Sequence, residues 1–539
     1  MVLIIRRGKS LIAQGRDEFV SIRDLPWRKV DAAAAVQSFD RPCRRNRVRV
    51  GRSSEWKGSP IEYATRRRHE ANPAADAPPA PLIGDRLLVR IAGAASVAGN
   101  SVRLLRDAAE NYPAWLDAIA GARRSVHFEN YIFRADPAGQ PFADALIAKA
   151  RDGVAVRLLY DWFGTFGSAS AAFWQRLRAA GVEVRCFNPP RVSSPFGWLG
   201  RNHRKSLTVD GEVGFVSGLC VGAAWLGNPA AGVAPWRDTG VELRGPAVAE
   251  LEAAFADTWA LSGAPLSDGE ARPERGLAVQ GGVPVSVIAS QPNTMGLYRL
   301  DQLVATEARR SLWLTDAYFV GTTAYVRTLI DASHDGVDVR LLVPGASDLP
   351  VAKALSRAGY RPLLEAGIRV FEWNGPMLHA KTAVADGSWA RIGSSNLNLA
   401  SWVGNWELDI AVEDAGFAGQ MEAMFRADLA NATEIVLGLG NVHVAAQSPE
   451  PHPARRGSPG RVAAGALGIG STVGAAITNR RALGPAEARV MAAAGGVLLI
   501  VAAVTILLPR LVTVPLALVT LWVAATLLVR AWQLRIKGR

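Results

Sequence analysis

The sequence predicts an α/β protein built from two copies of one layered domain, followed by a hairpin of two transmembrane helices. Three observations lead to this fold class. Short β-branched runs alternate with helical stretches, the same motifs return later in the chain, and the C-terminal region has two uncharged runs of 19 residues each. The length of 539 residues and the hydrophobic content of 49% exclude a wholly disordered chain and a small disulfide scaffold.

The first 80 residues form a basic segment. They contain 17 basic and 9 acidic residues, and they end in a stretch rich in Ala and Pro. Because the segment has no sustained hydrophobic period, residues 1–80 are predicted to be a disordered extension or a misassigned start of translation. An arm that binds a membrane surface or a partner is the alternative. The apolar run before Arg6 is too short for a secretory signal, so export by that route is not expected.

Sequence elements of the first predicted domain, residues 81–270, return in the second, residues 271–445, at an offset of about 180 residues. The pairs are Ala122-Arg-Arg-Ser-Val126 with Ala308-Arg-Arg-Ser-Leu312, Asp152-Gly-Val-Ala-Val-Arg-Leu-Leu159 with Asp335-Gly-Val-Asp-Val-Arg-Leu-Leu342, and Ala180-Gly-Val-Glu-Val-Arg185 with Ala366-Gly-Ile-Arg-Val370. A period this long indicates duplicated domains rather than a solenoid, whose units have about 20–50 residues.

Strand and helix patterns alternate within each copy. In the first copy, β-branched runs predict strands at 154–159, 182–187 and 206–209. Helices are predicted at 142–151 and 171–180. The alternation is typical of an α/β layered domain, and the repeat predicts that this domain is built twice.

After a linker at 446–488, residues 489–532 are predicted to form a transmembrane hairpin. The uncharged runs 491–509 and 511–529 would each be about 28 Å long as helices, close to the thickness of a bilayer core. Pro509 would end the first helix. A buried hairpin in a protein core is the alternative, although neither run has a polar face. Arginines and a lysine flank the hairpin on both sides, so the globular body should face the cytoplasm of a bacterial inner membrane.

The formal net charge of +13 is confined to the ends of the chain. The first 80 residues have a net charge of +8, the last 94 have +9, and the middle has −4. A nucleic-acid enzyme usually has its positive charge on the catalytic body. Basic flanks instead favour an anionic membrane surface, and nucleic acid is not an expected partner. The three cysteines, Cys43, Cys186 and Cys220, have no zinc or disulfide spacing.

One further element occurs in both copies. The first copy reads His203-Arg-Lys205-Ser-Leu-Thr-Val-Asp210-Gly211, and the second reads His379-Ala-Lys381-Thr-Ala-Val-Ala-Asp386-Gly387. In a strand, His and Lys two residues apart point to the same face, so each motif offers an imidazole and an ammonium to one site. A lone motif of this kind would be a surface pair. Two at matched positions in a repeat predict a shared functional site.

A phosphodiester suits this site. Two lysines can neutralise the charge that spreads over the phosphate oxygens in the transition state. One neutral imidazole can attack phosphorus, while the other gives a proton to the leaving alkoxide and later takes one from the incoming hydroxyl. The arrangement needs no metal, and no cofactor is expected.

These are the HKD motifs, and residues 85–430 resemble the phospholipase D superfamily. The resemblance implies phospholipase D-like domains that share one active site, with His203 as nucleophile and His379 as acid/base. It places carboxylates that orient the histidines at Asp238 and Glu407. Asp210 and Asp386 belong to the motifs but are expected to hold the following loop rather than to move protons. The resemblance also places phosphate-binding groups at Ser394, Ser395 and Asn396.

The segments Phe128-Glu-Asn-Tyr-Ile-Phe133 and Pro235-Trp-Arg-Asp238 are most similar to those of bacterial cardiolipin synthases. This similarity implies phosphatidyl transfer from one phosphatidylglycerol to a second alcohol, through a phosphatidyl-histidine intermediate. A hydrolytic phospholipase D that releases phosphatidic acid, a phosphodiesterase or nuclease, and a non-catalytic membrane scaffold are the alternatives. The acceptor alcohol and the oligomeric state stay open.

One residue departs from the family pattern, and the role of one loop stays open. Cys220 stands where the second copy has Asn396, so one phosphate contact is in doubt, and a small buried hydrophobic role is expected for it rather than that of a reactive thiol. The loop at 189–199 offers Phe196, Trp198 and Leu199 for membrane insertion or for packing on the body.

Overall fold

The computed structural model describes most of the two repeated domains and part of the C-terminal region. The described residues are 12–14, 19–21, 82–191, 199–267, 278–438, 441–444, 496, 499 and 502–537. The chain forms two compact units, Met1–Asp76 and Ala77–Arg539. In the first unit, strands β1 (Ile12–Gln14) and β2 (Phe19–Ser21) pair antiparallel.

Within the described part of the second unit, sixteen strands form one sheet. The strands of the first half are β3 (Ser96–Arg106), β4 (Ser125–Asn130), β5 (Ala155–Asp161), β6 (Glu183–Phe187), β7 (Lys205–Val209), β8 (Val213–Ser217) and β9 (Thr239–Arg244). The strands of the second half are β10 (Val283–Ser290), β11 (Ser311–Thr315), β12 (Asp338–Pro344), β13 (Arg369–Trp373), β14 (Thr382–Ala385), β15 (Trp389–Gly393), β16 (Glu407–Val412), β17 (Ala432–Gly438) and β18 (Asn441–Val444).

Helices lie between these strands in both halves. In chain order they are α1 (Asp85–Ala92), α2 (Asp107–Gly121), α3 (Gly139–Arg151), α4 (Trp162–Thr165), α5 (Ala171–Ala179), α6 (Ala223–Leu226), α7 (Val248–Leu261), α8 (Gly296–Glu307), α9 (Thr323–His334), α10 (Pro350–Ala358), α11 (Tyr360–Glu365), α12 (Ala415–Leu429) and α13 (Pro509–Lys537).

The strand order confirms the predicted duplication. The first half runs β3-β9-β8-β7-β4-β5-β6, and the second runs β10-β16-β15-β14-β11-β12-β13. In each half, three parallel strands follow an antiparallel group, and the halves join where β10 pairs antiparallel with β3. In the second half, β17 and β18 extend the sheet antiparallel beyond β13. The predicted strands at 154–159, 182–187 and 206–209 are β5, β6 and β7, and the predicted helices are α3 and α5.

Separate hydrophobic cores stabilise the two halves, and a third core joins them. The first half packs rings such as Trp115 and Phe128 under its sheet, and the second packs Trp402. The joining core contains buried aliphatic side chains from strands of both halves, such as Val241 and Ile410. Because this core spans the junction, the strand ends beside it are fixed relative to each other.

In each half, topology brings the start of the motif-bearing strand to the end of the sheet at which the parallel strands finish. β7 runs antiparallel to β4, so β7 begins where β4 ends, and Asn130 pairs with Lys205. β14 begins in the same way where β11 ends. Sites in α/β sheets commonly lie at the carboxyl ends of the parallel strands. The two HKD motifs start at this end of the sheet.

The predicted C-terminal hairpin is not shown. Its first run, 491–509, lies partly outside the described residues, and its second run, 511–529, lies within helix α13, which begins at Pro509. Among the residues that the structure describes, no helix is both long and apolar enough to cross a membrane. The linker 446–488 and loop residues 192–198, with Phe196 and Trp198, lie outside the described residues. The predicted domain boundaries stay predictions.

Candidate active site

Each motif histidine lies just before the first residue or residues of a strand inside the sheet. His203 precedes β7, whose first residue is Lys205, and His379 precedes Lys381 and β14. All four side chains are buried. Each lysine Nζ donates a hydrogen bond to the carbonyl oxygen of the histidine in its own motif. Each lysine ammonium therefore contacts the backbone of the histidine in its own motif.

The carboxylate that bonds each histidine comes from the opposite half. His203 Nδ1 lies 2.9 Å from Glu407 Oε2, at the start of β16 in the second half. His379 Nδ1 lies 2.7 Å from Asp238 Oδ2, just before β9 in the first half. Because Nδ1 is engaged in both rings, Nε2 is the nitrogen left to react.

Backbone hydrogen bonds hold this exchange in place. The His203 N–H donates to the Trp406 carbonyl at 2.9 Å, and the His379 N–H donates to the Arg237 carbonyl at 2.7 Å. Trp406 and Arg237 directly precede the two carboxylates. Each motif segment therefore forms a parallel bridge with the segment that supplies its carboxylate.

Burial controls the charge of the histidines. It lowers the pKa of His203 to about 4, although the Glu407 carboxylate raises it. Burial also lowers the pKa of His379 to about 3, and the Lys381 ammonium lowers it further. Both imidazoles are therefore neutral at neutral pH. A neutral imidazole is the form that can act as a nucleophile.

The lysines act across the halves. Lys381 lowers the pKa of His203, and Lys205 lowers the pKa of His379, so each ammonium lies within electrostatic range of the opposite histidine. Burial lowers the pKa of both lysines, that of Lys381 to about 8. The two motifs therefore form one site rather than two.

The paired carboxylates stay ionised. Burial alone would raise the pKa of Glu407, but His203 and Lys205 outweigh it, and the pKa is lowered. The same balance, set by His379 and Lys381, lowers the pKa of Asp238. Each histidine therefore has an anionic acceptor that fixes its tautomer.

The motif aspartates lie away from this centre. Asp210 follows β7, so the five residues of that strand separate it from His203, roughly 17 Å. Its carboxylate accepts hydrogen bonds from the backbone N–H groups of Arg123, Arg124 and Ser125 at 2.7–2.9 Å. Asp386 holds the matching residues of the second half. Although both aspartates belong to the motifs, they hold a turn at the other end of the strand and do not touch the histidines.

The predicted phosphate-binding residues divide into two kinds. Ser394 Oγ donates to Glu407 Oε2 at 2.6 Å, and Ser395 Oγ donates to Asp409, a buried carboxyl whose pKa burial raises to about 6. Both serines are therefore engaged with carboxylates. Asn396 is buried, and its Oδ1 has no hydrogen-bond partner within the described part of the chain. Of the three, only Asn396 has an open polar side-chain atom.

Cys220, at the position that matches Asn396, is part of the first hydrophobic core and is only 1% exposed. Its carbonyl oxygen accepts a hydrogen bond from the Tyr112 hydroxyl. This burial agrees with the expected role as a small hydrophobic side chain. The two halves therefore have different side chains at this matched position.

Four aromatic residues beside the histidines were not predicted as site residues. Tyr131 and Tyr318 lie edge-on to His203 and His379, with ring centroids 4.8 and 6.0 Å apart. Trp225 and Trp236 lie 5.3 and 5.8 Å from His379. Tyr131 falls in a segment that already resembled the family, but no motif in the sequence pointed to Trp225. Within the described residues, no group of three or more His, Cys, Asp or Glu could hold a metal ion.

The duplicated fold and the paired histidines define a two-domain protein of phospholipase D type. The family model described as "Cardiolipin synthase, PLD-like domain" matches residues 115–225 and 304–429, one segment in each half. The chain belongs to this family.

Curated relatives cover most of the catalytic body. The chain is 36% identical over 356 residues to cardiolipin synthase A of Pseudomonas aeruginosa (strain LESB58). The aligned region covers 65% of this chain and 71% of the relative. The chain is 33% identical over 344 residues to the cardiolipin synthase of Alkalihalophilus pseudofirmus, covering 63% and 68%. The solved phosphatidylserine synthase of Haemophilus influenzae has a TM-score of 0.51 at 14% identity, and covers 64% of this chain and 90% of that one. It shares the fold.

Proposed function

We propose that this chain is a phosphatidyltransferase that makes cardiolipin from phosphatidylglycerol through a phosphatidyl-histidine intermediate. The observation that carries the proposal is the reciprocal pairing of two buried histidines with carboxylates from opposite halves, beside two lysines. Membership of the family and the curated cardiolipin synthases support the choice of product.

In the first step, His203 Nε2 attacks the phosphorus of phosphatidylglycerol. A nitrogen–phosphorus bond forms, the bond from phosphorus to the glycerol oxygen breaks, and the glycerol oxygen takes a proton from His379 Nε2. Glycerol leaves, and the phosphatidyl group stays on His203. Glu407 stabilises the charge that His203 gains as it attacks.

In the second step, a hydroxyl of another phosphatidylglycerol attacks the same phosphorus. His379 Nε2 takes the hydroxyl proton, the new phosphorus–oxygen bond forms, and the bond to His203 breaks. Two phosphatidylglycerols thus give one cardiolipin and one glycerol, and both histidines return to their starting forms.

The lysines and the substrate set the protonation of His379. In the free site, burial and Lys381 keep the pKa of His379 low. A bound phosphate anion raises the pKa of a nearby imidazole, because an opposite charge favours the protonated form. Substrate binding therefore supplies the acid that the first step needs. Lys205 and Lys381 would contact the phosphate oxygens, and Nδ2 is the only group of the Asn396 side chain that could donate to them.

The assay uses vesicles that contain radiolabelled phosphatidylglycerol and the full-length protein. Cardiolipin and free glycerol should form in equal amounts, and His203→Ala should abolish both. Phosphatidic acid in place of cardiolipin would indicate the hydrolytic phospholipase D, in which water is the acceptor. Full activity of His203→Ala would remove His203 from the mechanism.

The substrate is a membrane lipid, so we also propose that the end of the sheet at which the motifs start contacts a bilayer. Large apolar side chains are exposed on loops and on the short helix α6 at this end of the sheet, each by 42–52%. They are Phe166, Leu199, Leu226 and Leu399. Side chains of this kind suit insertion into the interface between lipid and water.

We further propose that the C-terminal region anchors the chain in the bacterial cytoplasmic membrane, with the catalytic halves in the cytoplasm. The support is the pair of uncharged 19-residue runs and the basic residues on both sides of them. The full-length protein should stay in the membrane pellet after washing with alkaline carbonate. Release without detergent would contradict an integral hairpin and would leave surface attachment by the exposed apolar loops.

A further inference from the structure

Each histidine-bound carboxylate oxygen accepts a second hydrogen bond, and the second donor differs between the halves. Glu407 Oε2, which lies 2.9 Å from His203 Nδ1, accepts a bond from Ser394 Oγ at 2.6 Å. Asp238 Oδ2, which lies 2.7 Å from His379 Nδ1, accepts a bond from Trp225 Nε1 at 2.8 Å. A serine hydroxyl and an indole N–H therefore occupy equivalent places in the two pairs.

The first half cannot use a serine at the matching position. Gly218 follows His203 by 15 residues, as Ser394 follows His379. A Cβ atom on Gly218 would lie only 2.1 Å from Asp238 Oδ1, so the glycine leaves the space that the aspartate occupies. A donor to Asp238 Oδ2 has to come from another segment, and that segment is α6.

Trp225 is held firmly in this place. Its side chain is fully buried, and the backbone before it is fixed by the Tyr112 hydroxyl, which contacts the carbonyl oxygens of Cys220 and Gly222. Asp136 Oδ2 accepts the Ala223 N–H at 2.8 Å. The indole ring lies perpendicular to the imidazole of His379, at an interplanar angle of 89°.

We propose that Trp225 is the positioning residue of the acid/base histidine, as Ser394 is of the nucleophile. The inference rests on the proposed function, because it uses the roles given there to His379 and His203. By fixing Asp238 Oδ2, the indole N–H holds the His379 tautomer and aims its Nε2 at the leaving oxygen. Trp225 itself does not touch the substrate.

The two positioning residues should differ in their sensitivity to the leaving group. When glycerol leaves phosphatidylglycerol, its oxygen departs as a poor anion and needs the proton of His379. When p-nitrophenol leaves a phosphatidyl-p-nitrophenol, the phenolate is stable and needs no proton. Loss of the Trp225 donor should therefore slow only the release of glycerol. Loss of the Ser394 donor misplaces the nucleophile and should slow the release of both groups.

The test compares Trp225→Phe and Ser394→Ala in the full-length protein in vesicles, with release of glycerol and of p-nitrophenol measured separately in the first turnover. The first turnover is used because His379 acts as base in the second step, whichever group has left. A general acid contributes about 10²–10⁴-fold, so loss of its positioning alone should slow glycerol release by about 10–100-fold and p-nitrophenol release by less than about threefold. Trp115→Phe is the matched control. Trp115 is also buried in the first half, and its Nε1 has no hydrogen-bond partner in the described residues, so both rates should stay near wild type.

A second variant guards against misfolding of Trp225→Phe. Benzothienylalanine at position 225 replaces the indole N–H with sulfur at nearly the same volume, and it should give the same selective loss. Equal slowing of both release rates, or no change in either, would overturn the positioning role. A wild-type protein that releases glycerol but forms phosphatidic acid would contradict the transferase and leave this comparison intact. A wild-type protein that releases neither group would overturn both proposals.

Discussion

The two motif histidines have different surroundings although their motifs match. His203 lies beside Tyr131 and bonds a glutamate, whereas His379 bonds a shorter aspartate and lies beside Trp225 and Trp236. Burial lowers the pKa of His203 to about 4 and that of His379 to about 3. The repeat alone leaves their roles symmetric, and this difference in environment is what could separate a nucleophile from an acid/base.

The variant Glu407→Gln tests the proposed role of His203 as the nucleophile. The reactive form of His203 is neutral, so activity falls as the pH drops through its pKa. Glu407 raises that pKa, so its loss should move the acid limb of kcat/KM to lower pH. The rate itself should fall by about 10²-fold or more, because an amide no longer stabilises the imidazolium or fixes its tautomer.

The measurement is the pH profile of p-nitrophenol release, which does not require the proton of His379. Asp238→Asn should leave this acid limb in place, since Asp238 bonds the other histidine. A limb that moves to higher pH in Glu407→Gln would contradict the proposed pairing.

The motif spacing predicted that the histidines and lysines of both motifs share one site, and the structure buries all four side chains. The spacing could not predict which carboxylate bonds which histidine, because the partners lie 204 and 141 residues apart and in opposite halves. Nor could it predict that Ser394 and Ser395 bond carboxylates rather than standing free, since that depends on how β15 and β16 pair.

At the scale of elements, the strands that bear the motifs end in a strained turn. Asp210 and Asp386 have φ angles of 56° and 53°. These lie in the left-handed region, which residues other than Gly, Asn and Asp rarely adopt. Each carboxylate compensates by accepting backbone N–H groups from the start of the neighbouring antiparallel strand. The aspartate of the motif thus ties two strands together.

Asp210→Ala should therefore lower stability rather than chemistry. We expect a loss of about 2–4 kcal/mol, from the charged hydrogen bonds and the left-handed backbone. The folded variant should keep a kcat within about threefold of wild type. Chemical denaturation and steady-state assays check this, with Asp210→Asn as a milder control because Asn tolerates the backbone and keeps an acceptor. A stable but inactive Asp210→Ala would place this aspartate in the mechanism.

The element pattern itself was largely predictable. Runs of β-branched residues located β5, β6 and β7, and the helical pattern located α3 and α5, to within a few residues. The one-turn helix α6 is too short to have a period. Its position, and so that of Trp225, depends on tertiary contacts with Tyr112 and Asp136.

At the scale of the whole molecule, a buried ion pair joins the halves next to the site. Arg237 in the first half binds Asp428 on α12 in the second, with Nη2 2.8 Å from Oδ2. Both side chains are 3% exposed, and Arg106 also contacts Asp428 at 3.0 Å. Since Arg237 directly precedes Asp238, the pair fixes the segment that supplies the carboxylate of His379.

Asp428→Ala should destabilise the protein by about 3–5 kcal/mol, because it leaves a buried guanidinium short of its main partner. Activity should fall as well, since the Arg237 carbonyl accepts the His379 N–H. Thermal unfolding and glycerol release measure the two effects. Glu422→Ala on the same helix removes only a pair with the exposed Arg426, worth no more than about 1 kcal/mol, and is the matched control. Equal effects of the two variants would contradict a joining role for Asp428.

The exchange of carboxylates has a consequence for how such a chain can arise. One copy of the repeat contains a histidine but not the acid that bonds it, so an unduplicated ancestor would have worked only as a symmetric pair of chains. Fusion makes the pairing independent of concentration. It also frees the two copies from identity, so that one can evolve glutamate with serine while the other evolves aspartate with tryptophan.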